Sequence, residues 1–276
     1  MPSRTSISAQ VVSFLQKIQC ELEFQSWSMH PQFNNNQGLG RVALISCFLG
    51  CALGVHAFVL VFIILYKSEI LFSSGELSFL GPSRSLLLVQ WCAYVSFICI
   101  FHLSEFFVTA YYNPTVLSSD SFIINHSHAY TAAAILSACE FFIRFFFLPQ
   151  LNNTRIMVFG LTIVILAQAV RIAAIATCGE SFNHLIQTSK KDNHALITHG
   201  IYKYLRHPSY VGFFYWAIGT QLVLCNPLQV IIFAVATWMF FQRRIPYEEE
   251  SLRHHFPDTY AKYAVTTWIG IPFIRT

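Results

Sequence analysis

Two short stretches concentrate the side chains able to do chemistry. His194–Gly212 reads HALITHGIYKYLRHPSYVG, and Arg243–Glu250 reads RRIPYEEE. Arg244 carries a planar guanidinium fork, always charged, that matches a carboxylate through two parallel hydrogen bonds. Glu248, four residues on, can accept from a cation or from hydroxyls. The two share a face if the helix survives Pro246 between them. His194, His199 and His207 offer ring nitrogens of the kind that bind zinc. Their spacing does not put them on one helix face, and no thiol or acidic ligand lies near, so metal binding is disfavoured. Each feature also has a plainer role. Pro208 suits the first position of a helix and Gly200 a tight bend. Tyr202, Tyr204 and Tyr210 suit a membrane-interface belt, and the acidic run a solvated helix start. Those roles explain less once the two stretches are taken together, because they flank one apolar hairpin and its folding brings them to one place.

The rest of the chain must hold that hairpin. Of 276 residues, 55% are hydrophobic, 11% are charged and 27 are Phe, and mean hydropathy is +0.51. Soluble domains are about 25% charged, so lipid is the solvent this composition implies. The small net charge of +4 argues against nucleic acid. Six apolar segments stand out: Val42–Tyr66, Ser85–Tyr111, His128–Leu148, Ile156–Thr177, Pro208–Cys225 and Leu228–Gln242. The expected fold is an all-α, polytopic transmembrane bundle. Residues 1–177 form its N-terminal helical region and residues 178–276 a catalytic region around the hairpin 208–242. The hairpin arms are joined only by Asn226-Pro227, a turn signal. An arm of about 15 residues covers about 22 Å, short of the roughly 30 Å hydrocarbon core, so the hairpin mouth should be recessed.

Cys178–His207 and Arg243–Thr276 are polar and lie on the same side of the bundle; their Lys and Arg residues make that side cytosolic. The N-terminal stretch SAQVVSFLQKIQCELEF carries charges within its apolar run and reads as an amphipathic helix rather than a signal peptide. The segment between Lys67 and Pro82 fits no class. Charges inside the spans are expected to pair: Glu140 and Arg144 lie four apart on one helix, His102 and Glu105 three apart on another, and Arg171 ends a third. Gly50 and Gly54 form a GxxxG that suits close helix packing. Most of the eight Cys sit in apolar runs without a CxxC pair and are expected to be buried free thiols packed among the helices. Asn125-His126-Ser127 and Asn152-Asn153-Thr154 match the glycosylation pattern, and neither is expected to be modified.

The longer run HALITHGIYKYLRHPSYVGFFYWAIGTQLVLCNP, followed by RRIPYEEESLRHHFPDTYAKYAVTTWIGIPFI, resembles the isoprenylcysteine carboxyl methyltransferases. FHLSEFFVTAYYNP and DSFIINHSHAYT upstream are similar to the animal members, so the likeness runs from Phe101 to Ile274. A shorter core, Gly-x-Tyr, Arg-His-Pro and a later Glu-Glu pair, is shared with phospholipid methyltransferases and NADPH-dependent sterol reductases, and a non-enzymatic membrane scaffold is a third alternative. The resemblance implies an endoplasmic-reticulum enzyme with eight spans. Such an enzyme transfers the methyl of S-adenosylmethionine to the C-terminal carboxylate of a prenylated cysteine on CaaX-processed proteins, Ras-like GTPases among them. It implies a cofactor site at Gln187, His194, Ala195, Leu196, Ile197, Tyr202, His207, Pro208, Ser209, Tyr210 and Glu248. An α-carboxyl, with pKa about 3.3–3.7, is ionised at neutral pH, so that chemistry needs no general base. Arg244 is then the carboxylate anchor, Arg243 its helper, and Glu248 stands on the cofactor side.

Overall fold

The computed structural model describes residues 30–67, 81–124, 128–183 and 195–276. The amphipathic N-terminal stretch, nearly all of the unclassified segment before Pro82, the sequon at Asn125, and the site candidates Gln187 and His194 lie outside the described residues. Each of the six apolar runs is a helix: α1 Leu39–Lys67, α2 Gly81–Tyr112, α3 His128–Phe147, α4 Thr154–Cys178, α5 Pro208–Leu224 and α6 Pro227–His255, followed by a polar α7, Pro257–Thr266. Five of them, α1 to α4 and α6, are long and apolar enough to cross a membrane. Their outward faces carry exposed Phe48, Phe58, Ile64, Phe146, Phe159 and Ile231, surface that only lipid solvates at low cost.

Local chemistry sets the boundaries. The Asn153 side chain accepts from the backbone N–H groups of Arg155 and Ile156 and starts α4. Proline stands in the first turn of α5, α6 and α7, where its missing N–H costs nothing. Cys225, left-handed at φ 54°, ends α5 and throws the chain into the Asn226-Pro227 turn the sequence signals. The second arm differs from its apolar run: α6 continues past Gln242, through Pro246, to His255. Pro246 removes one ladder bond, from the Gln242 carbonyl, but does not end the helix. The apolar run marked only the lipid-compatible part of a helix that rises beyond it.

The core lies where α2, α4 and α5 meet. The Trp216 indole stacks on Phe101 with centroids 4.1 Å apart, among buried Leu87, Val164 and Leu224. The α4–α5 contact is the most extensive in the bundle. Its backbones touch: a Cβ on Gly160 would stand 2.6 Å from the Val223 nitrogen, and one on Gly212 2.8 Å from the Ala167 carbonyl oxygen. The GxxxG of α1 does the opposite. Outside α1 itself, no atom among the described residues comes within 4 Å of a Cβ placed on Gly50 or Gly54, so that face packs against no other helix among the described residues.

The buried charges pair differently from their spacing. Arg171 forms a two-point ion pair with Glu105 on α2, its Nη2 to Oε2 contact being 2.9 Å, and also donates to the Ser209 carbonyl and hydroxyl. His102 turns instead to the Phe122 carbonyl, 2.7 Å away. Arg144 does not take Glu140 as its ligand. It donates to the Leu224 and Leu151 carbonyls and to the Asn226 and Asn152 side chains. Glu140 accepts from the backbone N–H groups of Leu228 and Gln229 and so caps α6. A helix start offers a carboxylate free donors and a favourable dipole, which here outcompete a neighbour four residues away. The expectation of buried thiols holds for Cys92, Cys99 and Cys225 but not for Cys47, Cys51 and Cys139, which are exposed on outer helix faces, where lipid rather than a neighbouring helix covers an apolar run.

Candidate active site

The open end of the α5–α6 hairpin borders a cavity of about 700 Å³, within the roughly 300–1,000 Å³ usual for small-molecule sites. Because α6 is continuous through Pro246, Arg244 and Glu248 do share a face. Tyr210, in the first turn of α5, stands between them: Arg244 Nε donates to its hydroxyl oxygen at 2.9 Å, and the hydroxyl donates to Glu248 Oε2. The Arg244 guanidinium also lies over the rings of Tyr210 and Phe240. His207 stacks parallel on Tyr210, with centroids 5.4 Å apart. Its Nδ1 is 3.9 Å from Glu248 Oε1. Ala195, Leu196, Ile197, Tyr202, Ser209 and Tyr210 stand on the cavity wall with His207, Arg244 and Glu248. Pro208 does not; it is buried as the first residue of α5 and acts by fixing where that helix begins.

Sequence reasoning missed Glu249. It is fully buried and gathers the Arg-His pair that precedes α5: His207 Nε2 lies 3.2 Å from its Oε1, and Arg206 and Arg253 both donate to Oε2. The signal was present in the shared motif, where Arg-His-Pro is followed by a Glu-Glu pair. The second Glu points back toward α5 while the first faces the cavity. His207 is therefore an internal strut as well as a wall of the cavity.

The connector before α5 is held from below. Gly200, at φ 57°, makes the expected bend, with Thr177 of α4 where a Cβ would stand. Tyr263 of α7 donates to the Tyr202 carbonyl at 2.7 Å. Burial raises the Tyr202 phenol well above its ordinary range, with Cys178 beside it adding to the effect. Burial also pushes Tyr263 up to about 12. Both remain neutral hydrogen-bonding groups and cannot act as bases near neutral pH.

A family model for the isoprenylcysteine carboxyl methyltransferase family matches residues 159–254, the span that carries most of α4, the connector, α5 and nearly all of α6. The chain is 41% identical to the protein-S-isoprenylcysteine O-methyltransferase of Xenopus laevis over 246 residues, covering 86% of this chain and 83% of that one. The Homo sapiens protein of that name is 40% identical, covering 85% and 75%. The chain belongs to the isoprenylcysteine carboxyl methyltransferase family. A solved structure of a eukaryotic intramembrane Ras methyltransferase of this family superposes with a TM-score of 0.74 at 36% identity, covering 99% of this chain and 87% of that one. The likeness thus extends well beyond the short motif shared with phospholipid methyltransferases and sterol reductases, and those readings are not favoured.

Family membership also gives the second half of the cavity a meaning. Beyond the polar wall, the space runs down between the helices past Tyr94, Ile98, Phe213, Trp216 and Phe233. One cavity therefore joins a charged mouth to an apolar interior. The polar end fits a cationic small-molecule cofactor by its donor set: a carboxylate at Glu248, neutral phenols, and the wall at Ala195–Ile197.

Proposed function

We propose that this protein methylates the C-terminal carboxylate of prenylated cysteine on CaaX-processed proteins, with S-adenosylmethionine as methyl donor. The observation that carries the reading is the Arg244–Tyr210–Glu248 chain of hydrogen bonds. It sets a carboxylate-binding guanidinium and a cation-binding carboxylate on either side of the Tyr210 hydroxyl, on the wall of a cavity that continues into apolar space. When bound, S-adenosylmethionine supplies a methyl group already activated by its sulfonium.

What remains for the chain is placement. Arg244 holds the prenylcysteine carboxylate through its guanidinium fork, and Tyr210 fixes the direction of that fork. Glu248, Tyr202, His207, Ser209 and the run Ala195–Ile197 hold the cofactor, together with Gln187 and His194. Bringing an ionised carboxylate and an electrophile into line can contribute about 7–11 kcal/mol to lowering the barrier. The prenyl tail lies in the apolar half of the cavity, among Ile98, Phe213, Trp216 and Phe233, and reaches it from the bilayer, into which such tails partition. Ras-like GTPases are natural substrates on this reading. The membrane is that of the endoplasmic reticulum, with the charged mouth and the C-terminus on the cytosolic side.

Purified protein incubated with methyl-labelled S-adenosylmethionine and a farnesylcysteine analogue should form a base-labile methyl ester. Label recovered only in phospholipid, or no transfer under conditions where the fold is intact, overturns the proposal.

A further inference from the structure

The last ten residues were expected to lie in the polar, cytosolic part of the chain. Their contacts place them lower. The Trp238 indole, on the apolar part of α6, donates to the Pro272 carbonyl at 2.8 Å. Trp238 precedes Arg243 by five residues, about 7.5 Å along a helix, and lies among the outward-facing Val235 and Met239. The tail thus comes down alongside a spanning helix to the level of its lipid-facing residues.

The tail's side chains are sorted. Ile269, Ile271 and Ile274 are buried against Val211, Phe214, Phe241 and Ile245 of α5 and α6. Gly270, at φ 85°, permits the close approach, since a Cβ there would stand 2.7 Å from both Leu205 and Val211 side chains. Trp268 and Phe273 point the other way and are 79% and 90% exposed. Phe273 sits at φ 64°, a turn position after proline that glycine or asparagine fills at lower cost. A bulky ring in an unfavourable backbone conformation, with almost no protein contact, is expensive in water. At the edge of a bilayer the same ring finds a favourable environment.

We propose that residues 268–273 form a foot inserted at the boundary between headgroups and acyl chains of the bilayer that α6 spans, with Phe273 and Trp268 as its anchors. The foot is tied by backbone bonds to the active site. Arg206 N–H donates to the Trp268 carbonyl and Trp268 N–H to the Tyr204 carbonyl, at 2.8 and 3.1 Å. The next residue after Arg206 is His207. The foot therefore sets the height of the His207–Tyr210 wall relative to the membrane surface, where a substrate with a buried tail and a solvated carboxylate must present its reacting end.

The test uses the full chain in phospholipid vesicles, with Phe273 replaced by the photoreactive analogue benzoylphenylalanine. Asp258, exposed at the start of α7, carries the same replacement as a reference. Irradiation followed by mass spectrometry should give phospholipid adducts at 273 several-fold above those at 258. Equal yields at the two positions, or adducts at 273 only to a second protein chain, overturn the foot. Independently, the fluorescence component lost in Trp268→Phe should be one quenched by shallow-brominated phospholipid. If aqueous iodide quenches that component and brominated lipid does not, the proposal fails. Neither readout depends on methyl transfer, so this inference and the proposed activity stand or fall separately.

Discussion

At the turn end of the α5–α6 hairpin, the Arg144 guanidinium meets four acceptors supplied by the chain itself: two carbonyls and the Asn226 and Asn152 side chains. At the open end, Arg244 donates to Tyr210 through Nε, lies over the Tyr210 and Phe240 rings and stands on the cavity wall. The acidic partners differ in the same way. Glu140 is consumed in capping α6. Glu248 keeps 27% of its side chain exposed on the cavity wall. Burying a charge is costly unless it is fully paired and hydrogen-bonded. A charge enclosed by the chain's own groups at the turn end therefore holds the fold, and one left partly exposed on a cavity wall, as Glu248 is, is held ready for a ligand.

That contrast can be broken experimentally, starting with the largest effect. Arg144→Met leaves several buried acceptors without their donor, and should cost about 3–5 kcal/mol of stability. The lowered thermal midpoint in detergent should come with unchanged KM for both substrates in the surviving protein. A raised KM at an unchanged midpoint would place Arg144 with the site instead.

Arg244→Lys should do the reverse. It keeps the charge but loses the planar fork and the Nε bond to Tyr210. Turnover should fall about 100-fold, as misplacement of a reacting group does, with thermal midpoint and cofactor affinity nearly unchanged. Equal loss of cofactor affinity would remove Arg244 as carboxylate anchor. Arg171 is not an attractive replacement, because its guanidinium is already paired with Glu105 and Ser209.

Glu248→Gln sharpens the division within the open end. Replacing a charged acceptor by a neutral one should weaken S-adenosylmethionine binding about tenfold by calorimetry, and leave prenylcysteine affinity close to wild type. The opposite pattern would exchange the two roles.

The smallest expected effect is none. Glycosidase treatment should leave electrophoretic mobility unchanged. Asn152 lies at the turn end, away from the proposed cytosolic face, but its amide is engaged with Arg144 and the Pro149 carbonyl. A mobility shift would show that this end of the bundle opens.

The two ends were not equally legible in the sequence. The open end was, because its logic is local: an Asn-Pro turn folds the hairpin, and a helical spacing of four puts Arg244 and Glu248 together. Glu249 was not, since its role depends on which face of α6 packs on α5. The turn end was misread for a related reason. Arg144 takes backbone carbonyls as partners, and a carbonyl has no letter in a sequence. Glu140 takes backbone N–H groups, which exist as free donors only because a helix starts beside it. The six apolar runs announced six helices, yet not where α6 stops, because Pro246 interrupts a pattern without interrupting the helix.

The glycine seam between α4 and α5 has a kinetic consequence. Two helices whose backbones touch at Gly160 and Gly212 cannot slide along one another, since any shift drives a side chain into a carbonyl or amide. They form a fixed rail, and His207 and Tyr210 ride on its end. A movement that admits a bulky molecule to the cavity without displacing Arg244 and Glu248 on α6 is a sideways swing of α3, with its small Ala133 and Ala134 on the cavity wall. The gate and the reacting groups thus belong to different parts, and the chain can open toward the bilayer without moving the cofactor wall at the end of the rail.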